Sequence, residues 1–187
     1  MKENDVMPGK GIPNRIMTFG PWEPEWFESY SQQFMPNNTE FKYYNYTEVS
    51  SEVHRISKEM EKVGIKGAEN AYNLLRPYAF KKDLFQWMAL WDNGGIFMDA
   101  KMGFNHSVSE WLDFNNDEFV TCGAPGMYTN NAIMAMTKHH PYGLIQAKNV
   151  IDKVNDRTYY VPYDANGGKQ LSNLNITGPD SIRSLFI

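Results

Sequence analysis

The stretch Lys81–Met102, KKDLFQWMALWDNGGIFMDAKM, decides the reading of this chain. It reads as a helix, a two-glycine stop, a short buried strand and an acid at the strand's end. Wound at about 100° per residue over Ala79–Asn93, Phe80, Leu84, Trp87, Met88, Leu90 and Trp91 gather on one broad arc. Lys81, Lys82, Gln86, Asp92 and Asn93 gather on the other. Asp83 breaks the pattern by falling inside the apolar arc. A bare buried charge is very costly, so this carboxylate needs a partner or a proton. Ligand hydroxyls would serve, and so would Arg15, Arg76 or a backbone N–H. Gly94-Gly95 ends the helix where the chain must take positive φ. Ile96-Phe97-Met98 is a short apolar run suited to a strand covered on both faces. Asp99 follows where that strand leaves the sheet, and in open α/β sheets the carboxyl ends of strands are where ligands bind.

Outward from this centre the pattern alternates strands and helices. Arg15–Phe19 predicts a first strand, and Pro24 suits the first position of a helix running to about Phe34. Phe41–Tyr46 predicts a second strand. This strand–helix–strand order implies a parallel α/β unit. Ser50 and Ser51 suit the cap of a helix over Glu52–Val63, stopped by Gly64. Glu69–Leu75 predicts a further helical turn or two, and Arg76-Pro77 a boundary. Beyond Asp99, a short helix is expected near Ser107–Leu112 and a strand over Glu118–Thr121, broken by Gly123 to Gly126. Met127-Tyr128 is a candidate strand start. Asn131–Lys138 predicts a short helix, and Pro141–Val154 a longer one with Leu144, Ile145, Val150, Ile151 and Val154 at helical spacing. Thr158–Pro162 is a strand candidate, Asp164–Lys169 a polar glycine loop, and Gly178-Pro179 the opening of a last helical turn. The expectation is one α/β domain over residues 1–187, with a mostly parallel central sheet flanked by helices.

Composition narrows the function classes. A formal charge of −4 gives no support to general nucleic-acid binding. Cys122 is the only cysteine, so no intrachain disulfide can form. No apolar run reaches the length of a membrane span. Met1–Gly11 is polar and unlike a secretory leader, so a cytoplasmic protein, cellular or virus-encoded in a host cytoplasm, is the expectation. The aromatic content suits both sugar stacking and a large aromatic core. Adjacent His139 and His140 do not share a helix face, which argues against a two-histidine metal site.

The central stretch resembles the glycosyltransferases of family 32, which carry a DXD sugar-binding motif and are related to the glucosylating domains of large clostridial toxins. Their core runs roughly S-D-L-x-R-Y-x-x-L-x-x-x-G-G-x-Y-x-D-x-D. Here Asp83-Leu84, Leu90, Gly94-Gly95 and Asp99 keep that spacing without a gap. Ile12–Met17 resembles the family's opening strand, Thr129–Met134 with His140-Pro141 its NNAIM segment, and Thr177-Gly178-Pro179 its late TGP block. Two positions depart: Gln86 stands where the family often has Arg, and Lys101 where it has the second acid of DXD. The chain ends on an apolar stub, Ser184–Ile187, where family members usually run further. A naturally compact and a truncated C-terminus both fit.

The resemblance implies a GT-A-like fold and a retaining transfer of sugar from a UDP- or GDP-sugar to an acceptor hydroxyl on a glycan, protein or small molecule. It places Asp83, Gln86, Asp99, Lys101, Asn130 and Asn131 in donor binding, with no side chain identified as catalytic. It also implies a divalent cation, Mn²⁺ or Mg²⁺, at Asp99. Lys101 leaves two readings of that cation. In an extended strand residues two apart face one side, so the Lys101 ammonium can itself replace the metal. Alternatively, Asp99 holds a metal with another acid such as Asp164 or Asp180. A non-catalytic nucleotide-sugar or glycan-binding module is the alternative to an enzyme, and a ligand-free scaffold is a third, weaker reading.

Overall fold

The computed structural model describes residues 9–20, 24–124, 127–157 and 177. Within them lie β1 (Arg15–Phe19), α1 (Pro24–Ser31), β2 (Glu40–Tyr44), α2 (Tyr46–Lys62), α3 (Ala68–Leu74), α4 (Tyr78–Asn93) and β3 (Gly95–Met98). A 3₁₀ turn at Val108–Glu110, β4 (Phe119–Ala124), β5 (Met127–Met136) and α5 (Pro141–Asn155) follow. The strands form one mixed sheet in the order β2-β1-β3-β5-β4. β2, β1 and β3 are parallel, whereas β5 runs antiparallel to both β3 and β4. The chain leaves β1 for β2 on one flank and returns as β3 on the other. That reversal makes the carboxyl ends of β1 and β3 a topological switch point, the place where open α/β sheets generally bind ligands.

The sheet separates two apolar layers. Met17, Phe19, Phe97, Met134 and Met136 pack beneath α2, α3, α4 and α5. Ile16, Ile96, Met98 and Ala135 face the other way, against Phe27 of α1, Phe104, Val108 and Leu112. β3 is buried along its whole length, as its uninterrupted apolar run requires.

Three sequence expectations are corrected. Asn131–Lys138 is not a helix, because its residues through Met136 lie in β5. Alanine and methionine favour helices in isolation, but here Met134 and Met136 enter one layer while Ile133 and Ala135 enter the other. Tertiary packing on both faces overrides propensity. α2 begins at Tyr46 rather than Glu52. The Asn45 carboxamide accepts from the Thr47 and Glu48 N–H groups at 3.0 and 2.9 Å, and the Glu48 carboxylate accepts from the Asn45 N–H. This reciprocal cap satisfies donors that Ser50 and Ser51 would reach too late. Lastly, α4 has no solvent-facing polar arc. It is buried from Asp83 to Asp92, because it runs beneath its neighbouring helices as well as on the sheet. Its polar side chains are therefore paired: Asp92 with Arg55, Asn93 with Arg15, and Gln86 with the Asn131 carbonyl. The candidate strand at Thr158–Pro162, the loop at Asp164–Lys169 and the turn at Gly178-Pro179 lie outside the described residues.

The histidine pair joins β5 to α5. His140 is the N-cap of α5, its Nδ1 accepting from the Tyr142 N–H at 3.2 Å. The His139 ring lies edge-on to Trp91. Burial, aided by Lys138, holds His139 below its ordinary pKa, and burial does the same for His140 against the pull of Glu118. The unfolded chain therefore binds more protons than the folded one once pH falls through about 6.5. Their stability contribution is complete above that pH and is lost as pH drops toward the depressed folded values. Melting temperature is expected to fall between neutral pH and mildly acidic pH. His140→Asn, which can cap without titrating, should reduce that fall, and an unchanged acid slope would refute the assignment.

Candidate functional site

α4 and β3 are joined by a tight turn in which Gly94 alone stands between Asn93 and Gly95. Gly94 and Gly95 have φ of 66° and 96°, as their position at the helix stop predicts. The turn brings the first half of α4 beside the carboxyl end of β3, and this places Lys82, Asp83 and Asp99 together. The Lys82 ammonium lies 2.5 Å from Asp99 Oδ1 and 2.9 Å from Asp83 Oδ1. Its side chain is only 13% exposed, that of Asp83 6% and that of Asp99 35%. The cluster is thus closed around Asp83 and opens toward solvent at Asp99.

Asp83 has further donors. Asn131 Nδ2 donates to its Oδ1 at 2.9 Å, and the Thr177 hydroxyl donates to its Oδ2 at 2.9 Å. Arg15, one of the partners considered from sequence, binds Glu40 and Asn93 instead. Burial pushes the Asp83 carboxyl above its ordinary value, against the pull of Lys82 and Thr177. Burial also opposes the Lys82 charge, but the Asp83 and Asp99 carboxylates outweigh it and hold the ammonium above its ordinary value. Lys82 is therefore a cation at neutral pH, fixed between two acids.

Gln86 and the two asparagines form the wall behind this cluster. Gln86 is fully buried, and its Nε2 donates to the Asn131 carbonyl at 2.6 Å. Its Oε1 has no hydrogen-bond partner among the described residues. The register between β4 and β5 shifts at Cys122, which pairs with Asn130. Such an irregularity re-aims side chains, and here it accompanies the turning of Asn131 toward Asp83. Asn130 serves the irregularity itself. Its Oδ1 accepts from the Ala132 N–H, and its carbonyl accepts from the Thr121 hydroxyl. Of the residues singled out in sequence, Asp83, Gln86, Asp99 and Asn131 gather around Lys82, while Asn130 supports them from β5.

Lys101 is placed otherwise. β3 ends at Met98, and residues 99–102 form a turn closed by the Met102 N–H donating to the Asp99 carbonyl at 2.8 Å. The extended geometry that would align Lys101 with Asp99 is absent, and Lys101 is exposed. A divalent cation fits this donor set poorly. Asp99 Oδ1 already faces the Lys82 ammonium, and the second acid of the motif is absent. Among the described residues, no group of three or more His, Cys, Asp or Glu side chains could hold a metal ion. Asp164 and Asp180, the other acids considered, lie outside the described residues.

Two members of the cluster were not legible as such. Helical winding puts Lys82 on the polar arc, although its position beside Asp83 in sequence signals a pair. Thr177 marks a resemblance block but lies 94 positions from the carboxylate it binds. A separate concavity of about 240 Å³ is lined mainly by apolar groups, among them Phe104, Trp111, Val120, Cys122 and Ile133. It belongs to the opposite layer of the fold and shares no side chain with the acid cluster.

No family model matches the sequence, and no curated protein matches it. Among solved structures, the fold is similar to the PaToxG glycosyltransferase, with a TM-score of 0.65 over 96% of this chain and 70% of that one. The two are 14% identical, so the likeness is one of fold. The chain therefore has a glycosyltransferase-like α/β fold, with a charged cluster at the carboxyl end of a central strand. Among the described residues, no helix is long and apolar enough to cross a membrane.

Proposed function

We propose that this protein is a family 32-like glycosyltransferase that transfers a sugar from a UDP- or GDP-sugar to an acceptor hydroxyl, with retention of configuration. The observation that carries the reading is the approach of Asp83 and Asp99 to one ammonium at the carboxyl end of β3, within a glycosyltransferase-like fold. Carboxylates held in this way can accept hydrogen bonds from sugar or ribose hydroxyls. Gln86 Oε1, which has no partner among the described residues, and the Asn131 amide add neutral hydrogen-bonding groups behind them. Among the described residues, no side chain is identified as a dedicated nucleophile. Rate acceleration would thus come from positioning and from stabilising charge on the departing diphosphate.

A second reading is favoured by one feature. Gln86 is locked to the Asn131 carbonyl where the resembled family has a cationic side chain, which suits a module that binds nucleotide sugars without turning them over. Release of free nucleotide from UDP-glucose, UDP-N-acetylglucosamine and GDP-mannose separates the two. The enzyme reading expects protein-dependent release from at least one donor. Binding without release would support the module, and neither binding nor release in folded protein would reject both.

A further inference from the structure

The charge in the cluster invites comparison with what a metal would need there. Two carboxylate oxygens, one from α4 and one from the end of β3, both face a single point, and the Lys82 Nζ stands at it. A lysine ammonium has three N–H donors. Two are directed at Asp83 and Asp99, and no side chain among the described residues takes the third. The position is nearly closed from solvent on the Asp83 side and open on the Asp99 side.

We propose that the Lys82 ammonium occupies the place a divalent cation would need between Asp83 and Asp99, so that the site carries its own cation and takes a nucleoside diphosphate group without a metal. The diphosphate part of this inference rests on the donor-binding reading above. The displacement part does not, because it concerns only which cation the two carboxylates hold. An ammonium is a compact point charge able to meet phosphate oxygens. Its third donor gives it the means to do so while the two acids hold it in place. Lys101, exposed on the turn, is not needed for this role.

The first measurement uses Mn²⁺ alone. Electron paramagnetic resonance and thermal melting are recorded for wild type, Lys82→Met and Lys82→Gln. Met removes the cation, and Gln retains one N–H donor so that the fold persists if Met proves too disruptive. Wild type should neither bind Mn²⁺ nor gain melting temperature from it, whereas at least one variant should do both as the two carboxylates accept the ion. Mn²⁺ bound by wild type, or by none of the folded proteins, would overturn the displacement. The second measurement titrates UDP and GDP into wild type in excess chelator and in Mn²⁺. The affinities should agree within about twofold, a small difference on the free-energy scale. Metal-dependent binding would overturn the proposal, as would a loss of binding in Lys101→Ala but not in Lys82→Met. If no nucleotide binds under either condition, the donor reading fails and the metal-free role fails with it, while the Mn²⁺ result still decides the displacement.

Discussion

Gly95→Val is expected to abolish or severely weaken folding. Gly95 has φ of 96°, and a Cβ there would sit 2.8 Å from the Arg15 carbonyl oxygen and 3.1 Å from Arg15 Cβ. Both contacts belong to β1, which pairs with β3 and cannot recede without opening the sheet. Backbone strain and overpacking together cost about 2–6 kcal/mol, a large part of the roughly 5–15 kcal/mol that stabilises a domain. Gly94 is similarly confined, with φ of 66° and a Cβ position 2.6 Å from the Lys138 nitrogen. Gly64→Ala provides the comparison. Gly64 has φ of 89° but nothing within 4 Å of its Cβ position, so only conformational strain of about 1–2 kcal/mol applies. Urea unfolding should rank Gly95→Val far below Gly64→Ala. A Gly95→Val protein as stable as wild type would refute the close approach of β1 and β3 at this turn.

The second large effect concerns Lys82→Met. The substitution fills the space with an apolar chain and leaves two carboxylates facing each other without a cation. Removing one partner of a buried pair typically costs about 3–5 kcal/mol. The lower end applies here, since Asp99 is 35% exposed and water can screen it. The loss should diminish as pH falls, because protonation of either acid relieves the repulsion. It should also diminish in Lys82→Met with Asp99→Asn, where Asp83 keeps Asn131 and Thr177 as donors. Denaturant unfolding of the single and double variants at neutral and acidic pH measures this directly. Wild-type stability in Lys82→Met at neutral pH would mean that the three groups do not form the cluster described.

These two predictions rest on parts of the chain that differ in how far sequence reveals them. The α4–Gly94-Gly95–β3 unit was legible because each component has a local cause: helical spacing, positive φ and an apolar run before an acid. β5 was not, because its pairing with β3 and β4 depends on distant partners while its alanines and methionines favour a helix locally. The start of α2 had a local signal in Asn45 and Glu48 that the nearer serines obscured. In the cluster, Asp83 and Asp99 stood out through misplacement and strand-end position. Lys82 did not, since amphipathic reasoning supposes one buried face, whereas the side of α4 that carries Lys82 is covered by the acids it pairs with. The bonds of Thr177 and Asn131 to Asp83 join positions 94 and 48 residues apart, and no periodicity encodes them.

The claim that the end of β3 is a donor site stands or falls on Asp83. Its carboxylate is held by Lys82, Asn131 and Thr177, and under the proposed function a sugar or ribose hydroxyl reaches it from the Asp99 side. Asp83→Asn keeps the shape and loses charge-assisted acceptance, at about 1.5–3 kcal/mol for a strong bond. The decisive measurement is calorimetric titration of wild type and folded Asp83→Asn with UDP-glucose, UDP-N-acetylglucosamine and GDP-mannose. Wild type should bind at least one of them, and Asp83→Asn should bind it about 10-fold or more weakly, as that energy implies. Equal affinity in the two proteins, or no binding of any donor by folded wild type, would contradict it.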